Sequence, residues 1–140
     1  MAPIYVKTVY SFLSSTITID DLVELAKTNN YQELCICDDN MYGVMEFIRK
    51  CNANDIKPIV GVDFNNNLLF AKNYNGYKNL MHLVTINSKD ELIIDNYKEY
   101  KDDLVLVYKE ESDITKFFKD RFSYQELNIK KILCLSDKDL

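Results

Sequence analysis

Glycine is scarce in this chain of 140 residues. Only three occur, and none belongs to a glycine-rich turn of the kind that cradles phosphates. That shortage excludes nucleotide binding of the P-loop or dinucleotide kind. Histidine is scarcer still: His82 is the single imidazole, so a site built from several imidazoles of this chain is impossible. His82 lies in a helical pattern, where a lone imidazole reads as a surface or packing residue. Without a histidine base in any motif near Ser14, Ser15 or Ser136, a nucleophilic triad is unsupported. No stretch approaches about 18 uncharged apolar residues, which excludes a helical membrane span. Met1 to Val9 carries one lysine and no apolar core, so it does not read as a signal peptide, and the chain is expected in the cytoplasm.

Basic clusters are also missing. The net charge is -5, and Lys130–Lys131 is an isolated pair. Proteins that grip nucleic acid neutralise phosphates with clustered Lys and Arg, so no direct nucleic-acid contact is expected from this segment. The four cysteines, Cys35, Cys37, Cys51 and Cys134, contain no C-x-x-C pair. Three sit in apolar runs and read as small buried hydrophobes. Cys35 and Cys37, two apart in a strand, point to one face, but no motif supplies partners for a metal there.

What is present is the composition of one soluble globule. A hydrophobic fraction of 47% beside a charged fraction of 28% suits a single cored domain, and 140 residues is too short for two. Apolar strands alternate with helical patterns, which predicts a parallel α/β arrangement. Strands are expected at Ile4–Thr8, Leu34–Cys37, Ile59–Val62, Leu68–Ala71, Leu104–Tyr108 and Ile132–Leu135. Thr18 and Asp21 form a capping box for a first helix with Leu22, Leu25 and Ala26 on its apolar face. Met41, Val44, Met45 and Ile48 mark a second helix. Lys57-Pro58 closes that segment, and Asn65 to Asn67 make a turn after which Leu68 to Ala71 reads as the returning strand of a hairpin. Gly76 to Val84 is a third helix with Tyr77, Leu80, Met81 and Val84 on one side, and Ile114 to Phe122 a fourth. Ten Tyr and seven Phe allow exposed aromatics for partner contact, or simply a complete small core. The chain ends just after a strand, where an α/β protein places a helix, so a longer parent chain is expected.

Four segments, in order, carry a resemblance. They are "VYSFLSSTITIDDLVELAK" (Val9 to Lys27), "LCICDDNMYGVMEFIRKC" (Leu34 to Cys51), "NDIKPIVGVDF" (Asn54 to Phe64) and "LLFAKNYNGYKNLMHL" (Leu68 to Leu83). Together they resemble the N-terminal polymerase-and-histidinol-phosphatase (PHP) domain of bacterial DNA polymerase III alpha subunits, in the compact form of low-GC Gram-positive bacteria. The last segment is the most specific, because it separates replicative polymerases from other PHP proteins.

The resemblance implies a single PHP-like domain over 1–140, folded as a distorted (β/α) barrel that this short chain leaves incomplete. It implies a parent that is a DNA-directed DNA polymerase, a nucleotidyltransferase whose magnesium-binding carboxylates lie in later domains. Active PHP domains hold two or three metal ions that activate water for phosphate-ester hydrolysis. The family's H-x-H pair falls here on Tyr5 and Lys7, its Asp-His pair on Asp38 and Asp39, its Glu on Asp63, and its late Asp-x-His on Asp137 and Asp139. Every imidazole is gone, and Lys7 puts a positive charge where cations would sit. Two readings stay open. Asp38, Asp39, Asp63 and Asp137 form an all-oxygen magnesium or manganese site, or Lys7 pairs with these carboxylates and no metal binds in this domain.

Three functions follow as expectations. The first is a structural module that packs on the remaining polymerase domains or docks a proofreading exonuclease or another replisome subunit. The second is a residual metal-dependent phosphoesterase, such as a 3′–5′ proofreading exonuclease. The third is a free-standing adaptor.

Overall fold

The computed structural model describes Thr8 and residues 17–126. Chain order is α1 (Ile19–Thr28), β1 (Glu33–Asp38), α2 (Val44–Ala53), β2 (Lys57–Phe64), β3 (Asn67–Ala71), α3 (Tyr74–Ser88), α4 (Ile94–Glu99), β4 (Leu104–Tyr108), a 3-10 turn (Thr115–Phe117) and β5 (Asp120–Ser123). The five strands lie side by side in sequence order. The pairs β1–β2 and β4–β5 are parallel, while β2–β3 and β3–β4 are antiparallel. The parallel pairing expected of alternating strands and helices is thus confined to β1–β2 and β4–β5, and the expected hairpin return of Leu68–Ala71 makes the sheet mixed. The two-residue turn Asn65–Asn66 is the reason. Both residues take positive φ, 51° and 72°, which gives a tight hairpin of the type asparagine tolerates. Among the described residues the sheet is open, so the barrel closure implied by the resemblance is not seen. The strands expected at Ile4–Thr8 and Ile132–Leu135 lie outside the described residues, apart from Thr8.

Strand alternation splits the buried residues into two faces. Leu34, Ile36, Val60, Val62, Leu69, Leu104 and Leu106 share one cluster with the apolar sides of α1, α2 and α3. Cys35, Cys37, Leu68, Phe70 and Val107 form a smaller cluster on the other face. The two cysteines of β1 share that face, as their spacing predicted. All three described cysteines are buried. Burial pushes the Cys35 thiol up to about 12, with the Glu33 charge adding to it, and burial pushes Cys51 up to about 11. Neither should be alkylated by iodoacetamide at pH 8 in the folded chain, as peptide mapping would reveal. Above an ordinary thiol value of 9.0 the unfolded chain releases protons that the folded chain retains. Stability should therefore fall as pH rises from 9 towards the folded values, less steeply in Cys35→Ala.

Local chemistry explains most elements. The Thr18 hydroxyl accepts from the Asp21 amide and the Asp21 carboxylate from the Thr18 amide, both at 3.1 Å, so the expected capping box forms. The apolar face of α1 is Ile19, Leu22, Val23 and Ala26, and Leu25 is only half-buried. On α2 the buried residues are Val44, Phe47 and Cys51, whereas Met45 is 70% exposed. Val44 is buried and Met41 and Ile48 pack against the core as expected, but Met45 faces out, because Phe47 is the larger apolar side chain and takes the core. On α3, Leu80 and Leu83 are buried and Met81 is exposed.

β2 starts two residues earlier than expected, with Pro58 inside it. The Lys57 amide donates to the Gln32 carbonyl at 2.8 Å, so the next residue's nitrogen faces away from β1. Pairing with β3 begins only at Gly61. Proline's missing N–H costs nothing at such a position.

The helix expected over Ile114–Phe122 is wrong. Ile114, Thr115 and Phe118 are buried at helix-like spacing, but Phe118 is extended at φ -95°, ψ 124°. The following residues pair with β4, Val105 opposite Asp120 and Val107 opposite Phe122. Strand pairing overrides the short apolar period. The short helix α4 was not anticipated, and none of its residues is buried.

Candidate functional site

The carboxyl ends of β1 and β2 place Asp38, Asp39 and Asp63 at one end of the sheet, beside the β2–β3 hairpin. Asp38 is the last residue of β1 and is 1% exposed. Its two oxygens take both donors of Thr8: Oδ1 accepts from the backbone amide at 2.5 Å and Oδ2 from the hydroxyl at 2.7 Å. A carboxylate this buried is tolerable because its lone pairs are satisfied by such bonds.

Asp38 lies opposite Val62, and Asp63 opposite Leu68. Since side chains alternate along a strand, Asp38 belongs to the helix-covered face and Asp63 to the face of Cys37 and Leu68. The two carboxylates thus project to opposite sides of the sheet. Asp63 is half-buried, and its Oδ1 accepts from the Asn66 amide at 2.7 Å, closing the hairpin turn.

Asp39, exposed and just past β1, shares with Asp63 a cavity of about 620 Å³. Its other walls are Phe64, Asn65, Asn66, Asn67, Asn87, Leu92 and Tyr97. The phenol of Tyr97 is held above its ordinary range by burial, and its ring meets Phe64 edge-on at 6.3 Å. Among the described residues its wall is rich in amides and carboxylates.

Of the sequence-predicted site residues, then, Asp39 and Asp63 come together, and Asp38 is turned to Thr8. Tyr5, Lys7, Asp137 and Asp139 lie outside the described residues. Among the described residues, no three His, Cys, Asp or Glu groups converge in a way that could hold a metal ion. The described donors by themselves do not fit the family's metal centre. His82 stands away from this end, exposed on α3 and stacked on Tyr100 at 4.7 Å.

Sequence reasoning did not see the purpose of the third helix's entry. The Asn73 side chain caps α3 by accepting from the Gly76 amide at 2.9 Å. Asn75 Nδ2 donates to Asp103 Oδ2 at 2.7 Å and Asn79 Nδ2 to the Asp102 carbonyl at 2.9 Å. The Lys72 amide donates to the Asp103 carbonyl at 2.9 Å. The "KNYNGYKN" run therefore clamps α3 to the turn before β4. The signal was the asparagine spacing, which matches a cap and one helix face.

The chain belongs to the PHP domain family, whose profile matches residues 4–136. Among curated proteins it is similar to DNA polymerase III subunits alpha. That of Ureaplasma parvum is 41% identical over 107 residues, covering 71% of this chain and 11% of the relative. That of Staphylococcus aureus strain Mu50 is 32% identical over 125 residues, covering 81% and 12%. That of Mycoplasma pneumoniae is 31% identical over 96 residues, covering 63% and 11%. The chain thus spans 11 to 12% of the length of these relatives. No described helix is long and apolar enough to cross a membrane.

Proposed function

We propose that this chain serves DNA replication in the cytoplasm as the N-terminal PHP domain of a DNA polymerase III alpha subunit. Its role is assembly: packing on the remaining domains of the polymerase and docking a replisome partner such as a proofreading exonuclease. Nucleotide addition, with its magnesium, belongs to other domains of such a subunit. In this reading the hydrolytic metal site is degenerate, and Tyr5, Lys7, Asp38, Asp39, Asp63, Asp137 and Asp139 are what remains of it.

The observation that carries this reading is the similarity to alpha subunits over 71 and 81% of the chain. The degeneracy is supported by the engagement of both Asp38 oxygens by Thr8 and by the opposite facing of Asp38 and Asp63. The hydrolase alternative draws on the cavity that Asp39 and Asp63 share.

Incubation with manganese or zinc, followed by desalting and elemental analysis, decides between them. The assembly reading expects far less than one ion per chain and no cleavage of bis(p-nitrophenyl) phosphate. Stoichiometric metal, with turnover lost in Asp63→Ala, would establish the phosphoesterase instead.

A further inference from the structure

At the opposite end of β2 from Asp63, roughly 20 Å away at the rise of an extended strand, the sheet splits. β2 runs back to Lys57, but β3 leaves it after Phe70 opposite Gly61. The Lys72 amide is drawn to the Asp103 carbonyl, and the chain turns into α3. The gap is a groove of about 700 Å³. Its floor is Pro58, Ile59, Val60, Phe70 and Val105; Met45 and Ile48 of α2 form one wall and Tyr74 and Tyr77 of α3 the other.

Three features separate this groove from a packing defect. First, its rim is apolar and open to solvent. Met45 is 70% and Tyr74 72% exposed. Exposed Met and Tyr suit a partner surface, since each offers large contact area at a small ordering cost. Tyr74 stacks on Tyr77 at 6.3 Å, and the Tyr77 hydroxyl reaches the Met45 sulfur at 3.9 Å, so the rim is already ordered.

Second, its charge is one-sided. In a chain of net charge -5, the groove wall contains Lys57 and Lys72 and, among the described residues, no acidic one. Lys78 adds a third ammonium 5.5 Å from the Tyr74 ring centroid. Lys72 is engaged by Asp120 at 2.6 Å, so Lys57 and Lys78 are the charges left to face a ligand.

Third, the backbone excludes one mode of binding. Pro58 turns its nitrogen to the unpaired side of β2 and has no hydrogen there to give. An added strand would meet a missing donor at its centre. A partner must bind by inserting side chains.

We propose that this groove receives an amphipathic helical segment of a partner polypeptide, with apolar anchors seated among Met45, Ile48, Pro58 and Tyr77 and carboxylates facing Lys57 and Lys78. The inference rests on the assembly reading and names its surface and the chemistry of what it binds. The Asp39–Asp63 cavity takes no part in it.

The test titrates the isotope-labelled 140-residue chain with two synthetic helical peptides. Both carry Leu and Phe at i, i+3, i+4 and i+7; one has glutamate flanks and the other lysine flanks. The acidic peptide should shift the amide signals of Val60, Ala71, Tyr74 and Tyr77 and leave those of Asp39 and Asp63 unmoved. Lys57→Glu with Lys78→Glu should weaken it about tenfold, the range expected for surface charge reversals. Tyr74→Ala, at an exposed position that leaves the core untouched, should weaken it too. Equal binding of the two peptides, or shifts elsewhere only, would overturn the proposal. Shifts at the groove that grow with protein concentration in the absence of peptide would overturn it in favour of a second copy of this chain. Metal-dependent hydrolysis would instead sink the assembly reading, and the two failures are read in separate experiments.

Discussion

Gly76→Ala should destabilise the fold by about 3 kcal/mol, although alanine is the better helix former by about 1 kcal/mol. The sign is decided by one contact. A Cβ at Gly76 would stand 2.1 Å from the Asp103 carbonyl oxygen, and 3.0 Å from its carbon. The obstacle is backbone, and it is held in place. Lys72 donates to that same carbonyl, Asn75 binds the Asp103 side chain, and Asp103 itself sits at φ 60°. Relief requires α3 to move off the turn before β4, which exposes Leu80 and Leu83. For a chain of this size the melting temperature should drop by about 10 °C, read by circular dichroism. A variant melting with or above the parent would show that this junction yields easily.

Asp38→Ala is the second large effect, a loss of about 3 kcal/mol. It strips two partners from Thr8, which is fully buried. Buried donors left without acceptors cost more than the bonds themselves contribute. Asp38→Asn keeps an acceptor and should lose about half as much. Combining Asp38→Ala with Thr8→Val should give less than the sum of the single losses, because the two residues share their bonds. Chemical denaturation measures all four proteins. The same loss in the presence of EDTA is expected if the carboxylate holds no ion. A loss that vanishes with EDTA would reveal that Asp38 also holds an ion, which would favour the hydrolase reading.

These two positions also show how far the sequence was legible. The capping box at Thr18 and Asp21, the strands around Leu34, Ile59, Leu68 and Leu104, and the burial of the cysteines could all be read directly. Each depends on neighbours a few residues away or on a simple alternation. On α2, Met45 alone was misplaced, because it fits the apolar period as well as Phe47 does. Only the available volume in the core chose between them. The segment after Ile114 was misread for a related reason. Its buried residues have helical spacing, but a free edge of β4 stood ready to pair with residues 120 to 123.

The candidate site divides in the same way. The choice of Asp38, Asp39 and Asp63 came from the segments that resemble the PHP family, and all three do lie at one end of the sheet. Their grouping did not follow. Asp38 and Asp63 are each one step from a pairing that points them to opposite faces, and register between β1 and β2 is a property of the folded sheet. Sequence spacing carries no information about it. The clamp around Asp103 was equally hidden, because its partners are separated by 23 and 28 residues.

By itself, the sequence determined a domain of alternating strands and helices, the order of those elements from α1 to α3, and a single imidazole in the chain. Composition and local periodicity suffice for those, and the four ordered segments carried the family. The tertiary structure alone decided which carboxylates share a cavity, why Gly76 must be glycine, and where the sheet opens into a lysine-rimmed groove. Those are facts about residues distant in the chain, and only packing and strand register bring them together.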